Sequence, residues 1–179
     1  EPAGDSSGPS PAAAPASTAV APASPPAAAP SPAPVTTVSG NEIRRVYVFR
    51  EGDAELKSLV TKIGKYPQDG HYLQQGVLAD RLRALLDSRY SMVLKNLQTV
   101  SPLTKEGDVW TIVGNRQHQG GTDAAAVVID PARNGLRVWL MRNGKQTSYT
   151  DLAQETIDWP PSVSKTMANA APAAASARQ

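Results

Sequence analysis

Apolar positions along this chain change their period partway through. Leu56, Leu59, Val60 and Ile63 recur at i, i+3, i+4 and i+7, the spacing of one helical face. With Asp53 as an N-cap and Gly64 as a stop, the pattern predicts a helix over 54–63. A loop over 65–70 follows. Val77, Leu78, Leu82, Leu85 and Leu86 then form a second stripe, predicting a longer helix over 71–88 that Gly76 weakens. Residues 89–98 fit either a third short helix or an extended segment. From Val109 the period drops to two. The runs 109–113 and 124–129 flank a short polar loop, and Leu136–Met141 alternates faces before the turn dipeptide Asn143-Gly144 and the run 146–149. A further short strand over 44–50 opens this part of the chain. The sum is an α+β domain, N-terminal helices packed on an antiparallel β-sheet meander. Its expected core is Leu56, Leu59, Ile63, Val77, Leu82, Leu85, Ile112, Val127, Ile129, Val138 and Leu140.

Composition sets the bounds of that domain. The first forty residues hold 10 Pro, 12 Ala and 7 Ser, with no aromatic, Lys or Arg. Such a segment cannot bury enough apolar surface to offset its ordering entropy. Residues 1–41 are therefore expected to be a disordered tether of polyproline type, spanning on the order of 120 Å if extended. Residues 169–179 share the composition and are read as a tail, leaving a single domain over 42–168. The first residue is Glu, which suggests a processed start. A lipidated cysteine just before Glu1 would make the leader an envelope tether, and an ordinary disordered terminus is the other reading.

Charge and chemistry narrow the function. Within 42–168, 17 Lys and Arg face 14 Asp and Glu. The cations are scattered and not interleaved with aromatics, so nucleic-acid binding is not indicated. No run nears the roughly 18 apolar residues of a membrane span. The chain has no cysteine, which removes disulfides, thiolate catalysis and cysteine metal sites. No phosphate loop, nucleophile elbow or H-E-x-x-H pair is present. His71, beside Tyr72, is read as a surface or capping residue, and a His71–His118 metal site lacks a third ligand. No cofactor is expected. Asp123 could orient His118 as an acid–base pair, or it could be a loop-end carboxylate facing water. Trp110, Trp139 and Trp159 raise sugar stacking, against which burial explains at least two of them.

The most informative stretch is the loop Asn115, Arg116, Gln117, His118, Gln119, Gly120 and Gly121 between the two runs. A histidine at a loop tip on a rigid sheet is placed to touch a partner. The competing reading is a solvated tip with an incidental histidine. Here a resemblance bears on the choice. The block from Leu97 to Leu140 resembles the bacterial inhibitor of vertebrate lysozyme family, Ivy, whose loop Cys-Lys-Pro-His-Asp-Cys-Gly also lies between two strands. The histidine, the final glycine, the basic second position and the following strand Ala124–Asp130 all match, and Leu82–Leu97 looks like the family's helical segment. Both loop cysteines are replaced, by Asn115 and Gly120, and the proline by Gln117.

The resemblance implies a non-catalytic envelope protein, periplasmic or tethered to the outer membrane. It would bind a peptidoglycan hydrolase or lysozyme-like protein through residues 115–121, with His118 entering the cleft. An immunity role toward a rival's toxin falls within the same reading. A homodimer stays open, and a structural or adaptor module of an envelope or secretion assembly is the alternative. In the family a disulfide stiffens the loop. Here either hydrogen bonds from Asn115 and Gln119 would hold the loop instead, or the loop would recognise a different target.

Overall fold

The computed structural model describes residues 36–118 and 121–170. Most of the expected tether, the end of the expected tail, and Gln119 and Gly120 of the loop lie outside the described residues. The strands are β1 (Thr36–Ser39), β2 (Glu42–Arg45), β3 (Thr99–Val100), β4 (Thr104–Glu106), β5 (Val109–Asn115), β6 (Ala124–Asp130), β7 (Gly135–Arg142) and β8 (Lys145–Thr150). The α-helices are α1 (Pro67–Gly70), α2 (Val77–Leu86), α3 (Tyr90–Lys95) and α4 (Pro161–Ala170). The strands form one sheet in the order β1-β2-β8-β7-β6-β5-β3, with β4 also paired to β5.

Strands β5 to β8 are the predicted antiparallel meander. Its last turn is closed by Asn143 (φ 50°) and Gly144 (φ 77°). Positive φ at both central residues is what a two-residue hairpin turn with the sheet's own twist requires, and Asn-Gly supplies it most readily. The sheet extends beyond the meander. β2 adds to β8 in parallel, Ile43 opposite Tyr149, and β1 pairs antiparallel with β2. The ladder therefore starts upstream of the boundary read at residue 41, and α4 runs past the one read at 168.

β6 is buried on both faces, which is why Ala124–Ile129 is apolar without alternation. Ala125, Val127 and Ile129 join Leu56, Leu78, Leu82, Leu85, Ile112, Val138 and Leu140 under the helices. On the opposite face Ala124, Ala126 and Val128 meet Trp139, Met141, Ile157 and Val163, and α4 packs there against β5. Trp139 lies directly opposite Ala126, so a large side chain sits beside a small one. The expected core residues are all buried except Ile63 and Val77, which pack partly buried at its margin.

Several element predictions need correction. Leu56–Lys62 is a 3-10 helix rather than the α-helix predicted over 54–63. With about three residues per turn only i and i+3 align, so Leu56 and Leu59 are buried while Val60 is exposed. Asp53 does not cap it; its carboxylate accepts the N–H of Arg50 at 2.7 Å. The helix predicted over 71–88 begins only at Val77, because Gly76 adopts φ 92°, outside the helical region. The turn before it lets Tyr72 and Leu73 point into the core. The strand predicted over 44–50 ends at Arg45, since its partner β8 stops at Thr150, opposite Arg44. The loop over 65–70 contains the single turn α1, and 89–98 contains the helical alternative, α3.

Where 46–50 leaves the sheet, a buried ion pair anchors it. Arg81 of α2 donates to the Asp151 carboxylate at 2.6 and 3.2 Å and to the Asn134 carbonyl at 2.8 Å. Its guanidinium lies 4.2 Å from the centre of the Tyr47 ring. Burial pushes the Asp151 carboxyl up, and Arg81 together with the Leu136 N–H opposes it.

Candidate functional site

The polar loop occupies one end of the meander, on the β5–β6 hairpin. The strand ladder runs to Asn115 opposite Ala124, and the Arg116 N–H extends it by donating to the Asp123 carbonyl at 2.9 Å. Above that closing pair lie Gln117 and His118, both exposed, and Gly121 and Thr122, also exposed. His118 has φ 63°, a left-handed conformation that histidine visits more readily than most residues. Its imidazole is open to solvent rather than packed into the core.

The base of the loop is braced from two sides. Asp123 does not face water, as one sequence reading held; its side chain is only 6% exposed and it makes an ion pair with Arg116 at 3.4 Å. The other carboxylate oxygen accepts the Asn143 N–H at 2.9 Å. The Gly144 N–H donates to the Thr122 carbonyl at 3.0 Å. The β7–β8 turn is thus fastened to the histidine hairpin by two hydrogen bonds. From the α3 side, the Gln117 N–H reaches the Gln98 side-chain oxygen at 3.4 Å. Beneath it, buried Asn96 donates to the carbonyls of Ala124 and Met141, at 3.2 and 2.8 Å. The bonds given for the described part of the loop therefore involve Arg116, Gln117, Thr122 and Asp123, while the Asn115 backbone is used in the strand ladder. Gln119, the other residue expected to hold it, is outside the described residues.

The described surroundings bear on each chemical role open to these residues. The Asp123 carboxylate is engaged by Arg116 and Asn143, so the acid–base pairing with His118 has lost its partner. His71 is exposed and is the C-cap of α1; among the described residues no group of three or more His, Cys, Asp or Glu could hold a metal ion. Trp110 and Trp139 are core residues, and the Trp159 ring is covered by the Arg137 guanidinium at 3.9 Å. Trp110 and Trp139 therefore offer no free stacking platform, while half-buried Trp159 lines an open cavity with Pro160 and Pro161.

Sequence reasoning found the loop but missed its brace. Asp123 and Asn143 are twenty residues apart, and no local pattern links them. The available signal was topological, because two consecutive hairpins of one meander place alternate turns at the same end of the sheet. No described helix is long and apolar enough to cross a membrane.

Comparison with known proteins gives one family and no individual relative. No curated protein matches the chain, and no solved structure does. A family model described as inhibitor of vertebrate lysozyme (Ivy) matches residues 77–173, from the start of α2 through β3 to β8 and α4. That match spans more than half of the chain and includes the whole histidine hairpin, and the chain belongs to the Ivy family of lysozyme inhibitors.

Proposed function

We propose that this protein is a non-catalytic inhibitor of the bacterial envelope that blocks a peptidoglycan-cleaving glycosidase by inserting His118 into its cleft. The target would be a host lysozyme, the cell's own lytic enzyme, or a rival's toxin, the last making the protein an immunity factor. The Pro/Ala/Ser-rich leader upstream of β1 would serve as the tether to an envelope anchor. The observation that carries the reading is an exposed imidazole on a hairpin tip whose base is fastened to the sheet.

The physical logic is direct. A glycosidase cleft holds two carboxyl groups that flank the scissile bond. An imidazolium donates at both ring nitrogens, and charge-assisted bonds to carboxylates are about twice as strong as neutral ones. A ring delivered on a prefixed hairpin loses little further freedom on docking. Arg116, Gln117 and Gln119 would form the polar surround, with Gly120 and Gly121 giving the backbone its close approach.

Replacing His118 by Ala tests this. An anchor at the centre of such a contact is worth about 2 kcal/mol or more, so inhibition in a cell-wall turbidity assay should weaken at least about 30-fold. The circular dichroism spectrum and melting temperature should not change, because the side chain is exposed. Equal inhibition by the two proteins would remove His118 from the mechanism.

A further inference from the structure

The helix-side face of the sheet is left open beside the β7–β8 turn, where a groove of about 480 Å³ remains. Ile43, Leu140 and Tyr149 form its apolar floor, and Arg89, Arg142 and Lys145 supply its charge; no Asp or Glu lines it. Arg142 and Lys145 are directly opposite each other in the final β7–β8 pair. By strand alternation they share a face with Leu140 and Tyr149. Arg89 lines the groove beside Tyr149. The other ion pairs of the sheet are made by Arg116, Arg133, Arg137 and Arg81. Among the described residues, Arg89, Arg142 and Lys145 have no acidic partner.

Like charges directly opposite on neighbouring strands destabilise a sheet. Here two stand opposite each other and a third lies against the same floor. This concentration fits an anionic partner. Its position says which one. Arg142 and Lys145 flank Asn143-Gly144, the turn hydrogen-bonded to Asp123 and Thr122 of the histidine hairpin. Any body that receives the tip of that hairpin also approaches this groove.

We propose that the groove is a second contact with the inhibited enzyme, and that it selects targets whose cleft is bordered by Asp or Glu around an apolar side chain. The proposal rests on the inhibitor reading and adds the chemistry of the target. It makes the protein a discriminating inhibitor, tighter on an enzyme with an acidic cleft rim than on one with a basic rim.

The test uses Arg142→Glu, the Arg142→Glu/Lys145→Glu pair and His118→Ala. Each is assayed against two purified lysozymes, one with an acidic and one with a basic surface around the cleft, at low and high salt. The wild type should inhibit the acidic enzyme at least about tenfold more strongly, a margin that shrinks with salt. Arg142→Glu should abolish that margin while raising the melting temperature, because it creates an opposite-charge pair with Lys145. That combination separates a binding role from a folding one. The double variant should reverse the preference, and His118→Ala should lose inhibition of both enzymes. If charge reversal leaves the margin intact while His118→Ala abolishes inhibition, the groove proposal falls and the inhibitor reading stands. If His118→Ala inhibits normally, His118 leaves the mechanism; if the wild type inhibits neither enzyme, the inhibitor reading itself fails, and the groove proposal with it. Groove-dependent binding to vesicles of anionic phospholipid, with no preference between enzymes, would assign the groove to a membrane surface and overturn the proposal.

Discussion

Truncating Asp123 to Ala removes the brace beneath the histidine loop without touching the loop's exposed tip. Two interactions are lost. The Asn143 N–H loses a carboxylate acceptor at 2.9 Å, and a hydrogen bond to a charged group contributes about 1.5–3 kcal/mol. The ion pair to Arg116 is also lost, but the Arg116 side chain is 41% exposed, and water screens such pairs to about 0–1 kcal/mol. The hydrogen bond dominates, and the expected loss of stability is about 2–3 kcal/mol. For a domain of this size each kcal/mol lowers the melting temperature by about 3–4 °C. Asp123→Asn keeps an acceptor for Asn143 while removing the charge, so it should lose only about 1 kcal/mol. Urea unfolding measures both.

The loop should feel the change more than the fold does. Without the brace, side chains that were fixed must be immobilised on docking, at about 0.5–1.5 kcal/mol each. Inhibition by Asp123→Ala should therefore weaken roughly tenfold or more at temperatures where the protein remains folded. Amide exchange at Arg116 and Gly144, the backbone donors on either side of the brace, should accelerate. A variant that unfolds, exchanges and inhibits like the wild type would refute the reasoning.

Two further predictions concern the fold. Arg81→Met leaves the Asp151 carboxylate buried without its cation, both side chains being at most 2% exposed. Breaking one side of such a pair costs about 3–5 kcal/mol, seen as a lower urea midpoint with an unchanged slope. At alkaline pH, Tyr72 should limit stability. Burial pushes its phenol up from the ordinary 10.0, and its hydroxyl donates to the Lys65 carbonyl at 2.7 Å. The unfolded phenol then loses its proton first, so this contribution is complete below about pH 10 and falls as pH rises further. Between about pH 8 and 11, Tyr72→Phe should lose less stability than the wild type does; parallel declines would exclude Tyr72 as the cause.

What the sequence conveyed about the fold follows from how local each determinant is. Strands β5 to β8 were legible because alternation and the Asn143-Gly144 turn act within a few residues. Leu56–Lys62 was legible as an apolar helical segment but not as a 3-10 helix, since i, i+3 spacing serves both geometries. β1, Thr36–Ser39, is only four residues long and directly follows the Pro/Ala/Ser leader, and its place is decided by pairing with β2 and, through β2, with a strand a hundred residues away. α4 offers little more than Val163 and Met167 as an apolar stripe, and Trp159-Pro160-Pro161 reads as an edge rather than a start. At the site, His118 was marked by its loop, whereas Asp123 could be understood only with its partner turn in view. The groove residues Arg89, Arg142 and Lys145 are unremarkable as letters, and the fold gathers them.

The clamp on this hairpin is a carboxylate, not a pair of sulfurs. It forms as the chain folds, with no oxidant, no isomerase and no slow covalent step to wait for. It also reopens and closes reversibly, so a thiol reductant added to the folded protein has nothing to cleave. The histidine tip should reach its partner equally well in reducing and oxidising surroundings.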